Sequence, residues 1–326
     1  MELLITSLAF IVAALCAATM GFAIQRGATC TVAAVDELLQ RRSATRLVAL
    51  VEASLWVAGG LLVAQQLHAL VRVPAGYALT AWTLAGAALL GVGAFVNRAC
   101  VFGAIARLGS GEWVYLATPL GFYLGCLSVE ALFAPPAAVP LAAGSPVLAA
   151  PGWAAWLVLA AMGWRLTRPL IALRHTPLRA LVATRLWAPR SATAVIGVTF
   201  LLMLLAVGAW AYTDVLAELA RGMAHSLAAR LLLFVCLLFG ATLGGWTAGR
   251  FKPTPIDARA LLRCLAGGVL MGWGSLLIPG GNDGLILVGM PLLWPYAWAA
   301  FATMCASIGV AQWLQRRLPV GARVGA

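Results

Sequence analysis

Seven cysteines occur in the chain, at positions 16, 30, 100, 126, 236, 264 and 305. Five of them lie inside apolar runs, where a free thiol behaves as a small, inert hydrophobe. Cys30 and Cys100 sit differently. Cys30 closes Gln25-Arg26-Gly27-Ala28-Thr29-Cys30, and Cys100 closes Asn97-Arg98-Ala99-Cys100. Each thiol follows a break in an apolar run and has an arginine and a carboxamide a few residues upstream. A short helix starting at about each cysteine would aim backbone N–H groups and a positive dipole end at one place. That is a geometry for holding an anion, with a soft sulfur added. Spacing alone leaves open whether these thiols work or pack, and Arg26 and Arg98 fit equally well as markers of a membrane boundary. There is no CxxC pair, so neither a disulfide framework nor a zinc site is indicated, and no cofactor is called for. His68, His175 and His225 fall in expected loops, leaving neither thiol with an adjacent activating base.

The elements that must position these residues are membrane helices. Of the 326 residues, 63% are apolar and 10% charged, against about 25% charged in soluble domains. Soluble enzymes and secreted scaffolds are excluded. The net charge of +12 would suggest nucleic acid in a soluble chain, but basic residues also gather in the cytoplasmic loops of membrane proteins. Nucleic acid is therefore not an expected partner; the lipid bilayer is. Apolar stretches near 3–24, 45–66, 78–96, 113–133, 151–165, 191–212, 230–248, 260–278 and 294–314 predict nine spans at roughly 20 residues each.

Placing the arginine-rich segment 165–190 in the cytoplasm fixes every other loop. Only Arg72, Arg221 and Arg230 of the 22 basic residues then fall outside. The N-terminus is predicted outside and the C-terminus inside a bacterial inner membrane. Nine spans divide into a first repeat (1–135), a connecting helix with a basic linker (136–190) and a second repeat (191–326) that enters from the opposite side. The fold class is an all-α integral membrane protein of two inverted four-helix repeats with short re-entrant helices. Leu89-Leu90-Gly91-Val92-Gly93 recurs as Leu270-Met271-Gly272-Trp273-Gly274, and each motif precedes a polar interruption: Asn97 to Cys100 in one half, Pro279-Gly280-Gly281-Asn282-Asp283-Gly284 in the other. Paired breaks of this kind point to a transport site, because unwound backbone at membrane depth is tolerated only against protein or a polar cavity. Glu52, Glu130 and Asp283 are the acids expected at depth, while Asp36 and Glu37 are expected to pair with Arg41 or Arg42.

The Gln-Arg-Gly-x-x-Cys segment at 25–30, the Gly-x-Gly break ending in Cys100, Gly109-Ser110-Gly111-Glu112, and the glycine run at 267–274 leading into Gly280-Gly281 together resemble the YeeE/YedE sulfur-transport family over essentially the whole chain. The resemblance implies a nine-span inverted-repeat permease that takes up thiosulfate along a line of cysteine thiols, with Cys30 and Cys100 matching two of them. The third is absent. Where the family usually has Gly-Gly-Cys, this chain reads Gly280-Gly281-Asn282-Asp283.

The expected function is import of thiosulfate or a related small inorganic sulfur compound, without catalysis. The expected path is built from Gln25, Arg26, Cys30, Asn97, Arg98, Cys100, Gly280, Gly281, Asn282 and Asp283. A cytoplasmic sulfur-carrier protein is a further expected partner. The rival reading is a membrane sulfur-transfer protein, in which Cys30 or Cys100 becomes a persulfide and passes sulfur to that carrier.

Overall fold

A computed structural model describes residues 7–70, 73–141, 144–175, 186–222 and 227–317. Arg72, Arg179, Arg185, Arg323 and His225, used above to read topology or to look for a base, lie outside them. The described residues contain helices and no strands. In chain order the helices are α1 (Leu8–Gly27), α2 (Thr31–Arg41), α3 (Thr45–Gln66), α4 (Ala81–Asn97), α5 (Val101–Leu108), α6 (Ala117–Phe133, entered through a 3-10 turn), α7 (Gly152–His175), α8 (Pro189–Val207), α9 (Tyr212–Ala220), α10 (Leu227–Thr247), α11 (Ala258–Leu277), a helical turn at Asn282–Gly284 that continues as a π-turn, Leu285–Gly289, and α12 (Pro295–Arg317).

Eight segments among the described residues are long and apolar enough to cross a membrane: α1 with α2, α3, α4 with α5, Trp113–Phe133, α8, α10, α11 and α12. The protein is a multi-pass, all-α membrane protein, and its exterior agrees with that: Leu8, Trp156, Trp164 and Trp246 are among many large apolar side chains turned outward. The ninth expected span, 151–165, does form a helix, but its apolar stretch stops at Arg165, which leaves it out of the eight. Its position is nevertheless definite. Gly152 lies by Gln66, Gly59 abuts Val158 and Met162, and Arg165 donates from Nε and Nη2 to Glu52 at 2.9 and 2.8 Å. Helix α7 therefore runs antiparallel along α3 and leads the chain from one end of α3 back toward the other.

Small residues set the packing. A Cβ on Gly240 would lie 1.8 Å from the Ala18 carbonyl oxygen, and one on Gly21 would lie 1.9 Å from that of Leu237, so α1 and α10 touch backbone to backbone. Close approach of this sort is how membrane helices gain dispersion energy when lipid offers the same apolarity as a neighbour. The recurring glycine motifs meet each other: Gly93 faces the Gly267 carbonyl and Gly274 faces that of Gly86. Contacts are reciprocal between halves. Helix α4 packs on α11 and α12 while α11 packs on α4 and α6; α1 packs on α8 and α10 while α8 packs on α1 and α3.

One face is basic. Arg316 pairs with Asp36 at 2.7 Å and Arg46 with Glu37 at 3.4 Å, so Asp36 and Glu37 bridge α2 to α12 and α3. These partners replace the expected Arg41 and Arg42; Arg42 stands past the end of α2 in the left-handed region at φ 51°. Glu52, seven residues into α3, takes Arg165 from α7 and approaches Arg190 from α8 at 3.7 Å. The acid expected at depth is in this way the junction of three helices. The opposite face is closed by the segments before α4 and α7, where Ser145 donates to the Leu292 carbonyl at 2.7 Å.

Candidate functional site

The cysteine breaks fold as short helices. Helix α1 ends in a left-handed Ala28 (φ 46°), the chain turns through Thr29, and α2 starts at Thr31 with Cys30 as its N-cap residue in an extended conformation. Helix α4 ends in a left-handed Arg98 (φ 60°), and α5 starts at Val101 with Cys100 as its N-cap. Asn97 locks this second turn: its Nδ2 donates to the Ala99 carbonyl at 2.8 Å, while its Oδ1 accepts from the Thr118 hydroxyl at 2.9 Å.

The second half contributes two more starts. Gly208 (φ 93°) ends α8 five residues short of the expected 212, and after an extended Ala211 the helix α9 begins. Gly281, also extended, precedes the turn at Asn282. At none of the four starts does the N-cap side chain accept a hydrogen bond from the helix. A soluble helix usually places Ser, Thr, Asp or Asn there.

These four starts converge. The Thr31 N–H donates to Cys100 Sγ at 3.2 Å. Asn282 Nδ2 donates to Thr31 Oγ1 at 3.1 Å, and Thr213 Oγ1, in the first turn of α9, donates to Asp283 Oδ1 at 2.6 Å. Tyr212 OH donates to the Val101 carbonyl at 3.0 Å. The Thr31 bond brings Cys30, the residue before it, to the same place as Cys100. Gly103, one turn into α5, is bare because Cys30 fills the space: an added Cβ would sit 2.6 Å from its sulfur. Cys100, Asn282 and Asp283 are buried, and Cys30 is half-buried.

Two donor or acceptor atoms here have no partner within the protein, the Asn282 carboxamide oxygen and the Trp210 indole N–H. Orphaned buried polar atoms are uncommon and cost on the order of 1–3 kcal/mol each. Trp210, 3% exposed, lines a cavity of about 10 Å³ with Ile24, Phe102, Tyr212 and Asp283. Toward the basic face, a second cavity of about 10 Å³ joins Cys30 to Arg46, Pro189 and Thr193. Toward the opposite face, a vestibule of about 400 Å³ reaches down to Gly280 and Gly284 between Asp214, Glu218, Arg221 and Tyr296.

Of the ten residues singled out from sequence, the fold brings Cys30, Cys100, Gly281, Asn282 and Asp283 to the convergence, and Gly280 to the floor of the vestibule. Asn97 braces the break. Gln25 bonds Ser110 at 3.3 Å, Arg26 bonds Thr247 at 2.7 Å with its guanidinium over Phe22, and Arg98 is exposed. Thr31, Trp210, Tyr212 and Thr213 were missed. The last three lie in Gly208-Ala-Trp-Ala-Tyr-Thr-Asp, an apolar stretch largely inside the expected span 191–212 that reads as continuous until its neighbours are known.

The helices define a multi-pass membrane protein with polar breaks at its centre. A family model described as "Sulphur transport" matches residues 26–310, and the chain belongs to that family. A comparison with curated proteins finds none that matches the chain.

Proposed function

We propose that the protein imports thiosulfate, or a closely related small sulfur oxyanion, along a line from the vestibule at Asp214 and Gly280, through the convergence at Asn282, Thr31 and Cys100, to Cys30 and the basic face. The observation that carries this reading is the meeting of four helix starts, none capped by its own side chain, around two thiols. Even a singly charged bare ion entering hydrocarbon meets an idealised cost on the order of 20 kcal/mol, and a dianion more, while helix starts offer a positive field without a fixed cation that would trap it. Neutral thiols are weak donors and hand a soft sulfur onward without holding it.

The reciprocal packing and the course of α7 support two inverted repeats joined by a ninth crossing, with the basic face cytoplasmic, the N-terminus outside and the C-terminus inside the inner membrane. The two small cavities each hold about one water, so passage requires the short helices to part. An inside-negative potential opposes two entering negative charges by about 4.6 kcal/mol per 100 mV, so uptake needs a co-transported cation or rapid consumption by a cytoplasmic sulfur carrier.

The test is initial uptake of labelled thiosulfate, sulfite and sulfate into proteoliposomes. Thiosulfate uptake that Asn282→Ala lowers and Asn282→Cys partly preserves is the expected result; no uptake of any of the three overturns the proposal.

A further inference from the structure

We infer that Asp283 carries a proton with each substrate anion, which makes uptake an anion–proton symport; this rests on the transport reading above. Asp283 is 2% exposed and stands at the convergence itself. Its Oδ1 accepts from Thr213 Oγ1 at 2.6 Å and from the Gly284 N–H at 3.1 Å. The carboxylate therefore holds donors at the start of α9 that a passing anion would use, and it acts as a tethered anion in the substrate's place. Beside it Trp210, whose buried N–H has no partner in the protein, lines the same small cavity. A donor left without an acceptor next to a satisfied carboxylate marks a place for a second anion.

Two negative groups cannot share that space while both are charged. A proton on Asp283 removes the repulsion and frees Thr213 and Gly284 to donate elsewhere. Among the described residues that line this cavity there is no fixed cation. From α9 come Tyr212, Thr213 and Asp214; from α5 the Cys100 end; from α1 and α10 the apolar Ile24 and Leu237. Glu218 is ion-paired with Arg230 at the vestibule wall, and Arg221 lines the vestibule about two turns beyond Asp214. Asp214 borders the vestibule next to Gly284 and gives protons a way from the outer water toward Asp283. The proton enters there, rides on the Asp283 carboxyl while the anion passes, and leaves toward the basic face; no bond other than that O–H forms or breaks.

Proteoliposomes with clamped potential and an imposed inward proton gradient test this. For each proton carried, one unit of gradient should raise the thiosulfate accumulation ratio about tenfold, the factor that one decade of proton concentration supplies. In Asp283→Asn the thiosulfate accumulation ratio should no longer respond to the gradient, whatever rate of thiosulfate–thiosulfate counterflow remains. Wild type that exchanges thiosulfate but ignores the gradient, or Asp283→Asn that accumulates like wild type, overturns the proton role. Absence of any thiosulfate exchange in wild type overturns instead the transport reading beneath it. If Asp283→Asn proves inactive in both assays, Thr213→Val decides. It keeps the carboxyl and removes its 2.6 Å donor, so half-maximal uptake should move to higher pH; an unmoved midpoint overturns the inference.

Discussion

Gly103→Ala tests whether the meeting of α2 and α5 is functional. The added Cβ would lie 2.6 Å from Cys30 Sγ and 3.1 Å from both Cys30 Cβ and Ala99 Cβ, so the sulfur must retreat by about 1 Å to restore ordinary contact. Any such retreat shifts the Cys30 thiol from the place it holds against α5. Overpacking of this size costs about 1–3 kcal/mol, and replacing a helical glycine by alanine returns up to about 1 kcal/mol. The net loss of stability is then about 0–3 kcal/mol, while the Cys30 thiol is displaced from its place on the proposed path. Gly163→Ala, on α7 with open space around it, carries the same propensity gain without the clash. The assay pairs initial thiosulfate uptake with thermal unfolding of the detergent-solubilised protein. Gly103→Ala is expected to lose at least tenfold in uptake with a small drop in melting temperature that Cys30→Ala in the same chain relieves; Gly163→Ala is expected to transport normally. Uptake by Gly103→Ala equal to wild type would refute the assignment of Cys30 and Cys100 to the path.

Cys100→Ala should lose more uptake than Cys126→Ala, because Cys126 only approaches the Gly272 carbonyl at 3.8 Å between α6 and α11; the reverse order at equal expression contradicts the thiol line. For topology, cysteine at Gly144, exposed with nothing within 4 Å, should react with an impermeant reagent from outside, and cysteine at the exposed Thr254 only after permeabilisation. Ser145 is unsuitable for this despite lying next door, being 4% exposed. Glu52→Gln should lower thermal stability by no more than about 1 kcal/mol, since both arginine partners are about half exposed and screened, and should leave the apparent affinity for thiosulfate unchanged; a large change in affinity would place Glu52 in the path.

Much of this protein was legible in its residues. Hydropathy located most of the long helices to within a few residues, since about 20 apolar residues are what a bilayer demands and few other constraints compete; the helix expected over 151–165 runs on to His175, and the one expected to reach 212 ends at Val207. The glycine motifs and the breaks at Cys30, Cys100 and Gly280-Gly281 were also visible, because left-handed or extended turns at membrane depth leave a local mark. Three things were decided only by tertiary packing. The expected span 191–212 hid a helix start at Tyr212, because an apolar segment that turns back reads the same as one that continues until its neighbours are known. Arg26, Gln25 and Arg98, adjacent in sequence to the working cysteines, were directed elsewhere, since a 3.6-residue period turns neighbouring side chains to different faces. And Thr31, Asn282, Thr213 and Asp283, from both halves of the chain, became one hydrogen-bonded group only when α2, α5 and α9 were brought end to end. Chain order carries no record of that meeting; it arises because a buried polar group in a membrane must find its partner wherever the fold supplies one.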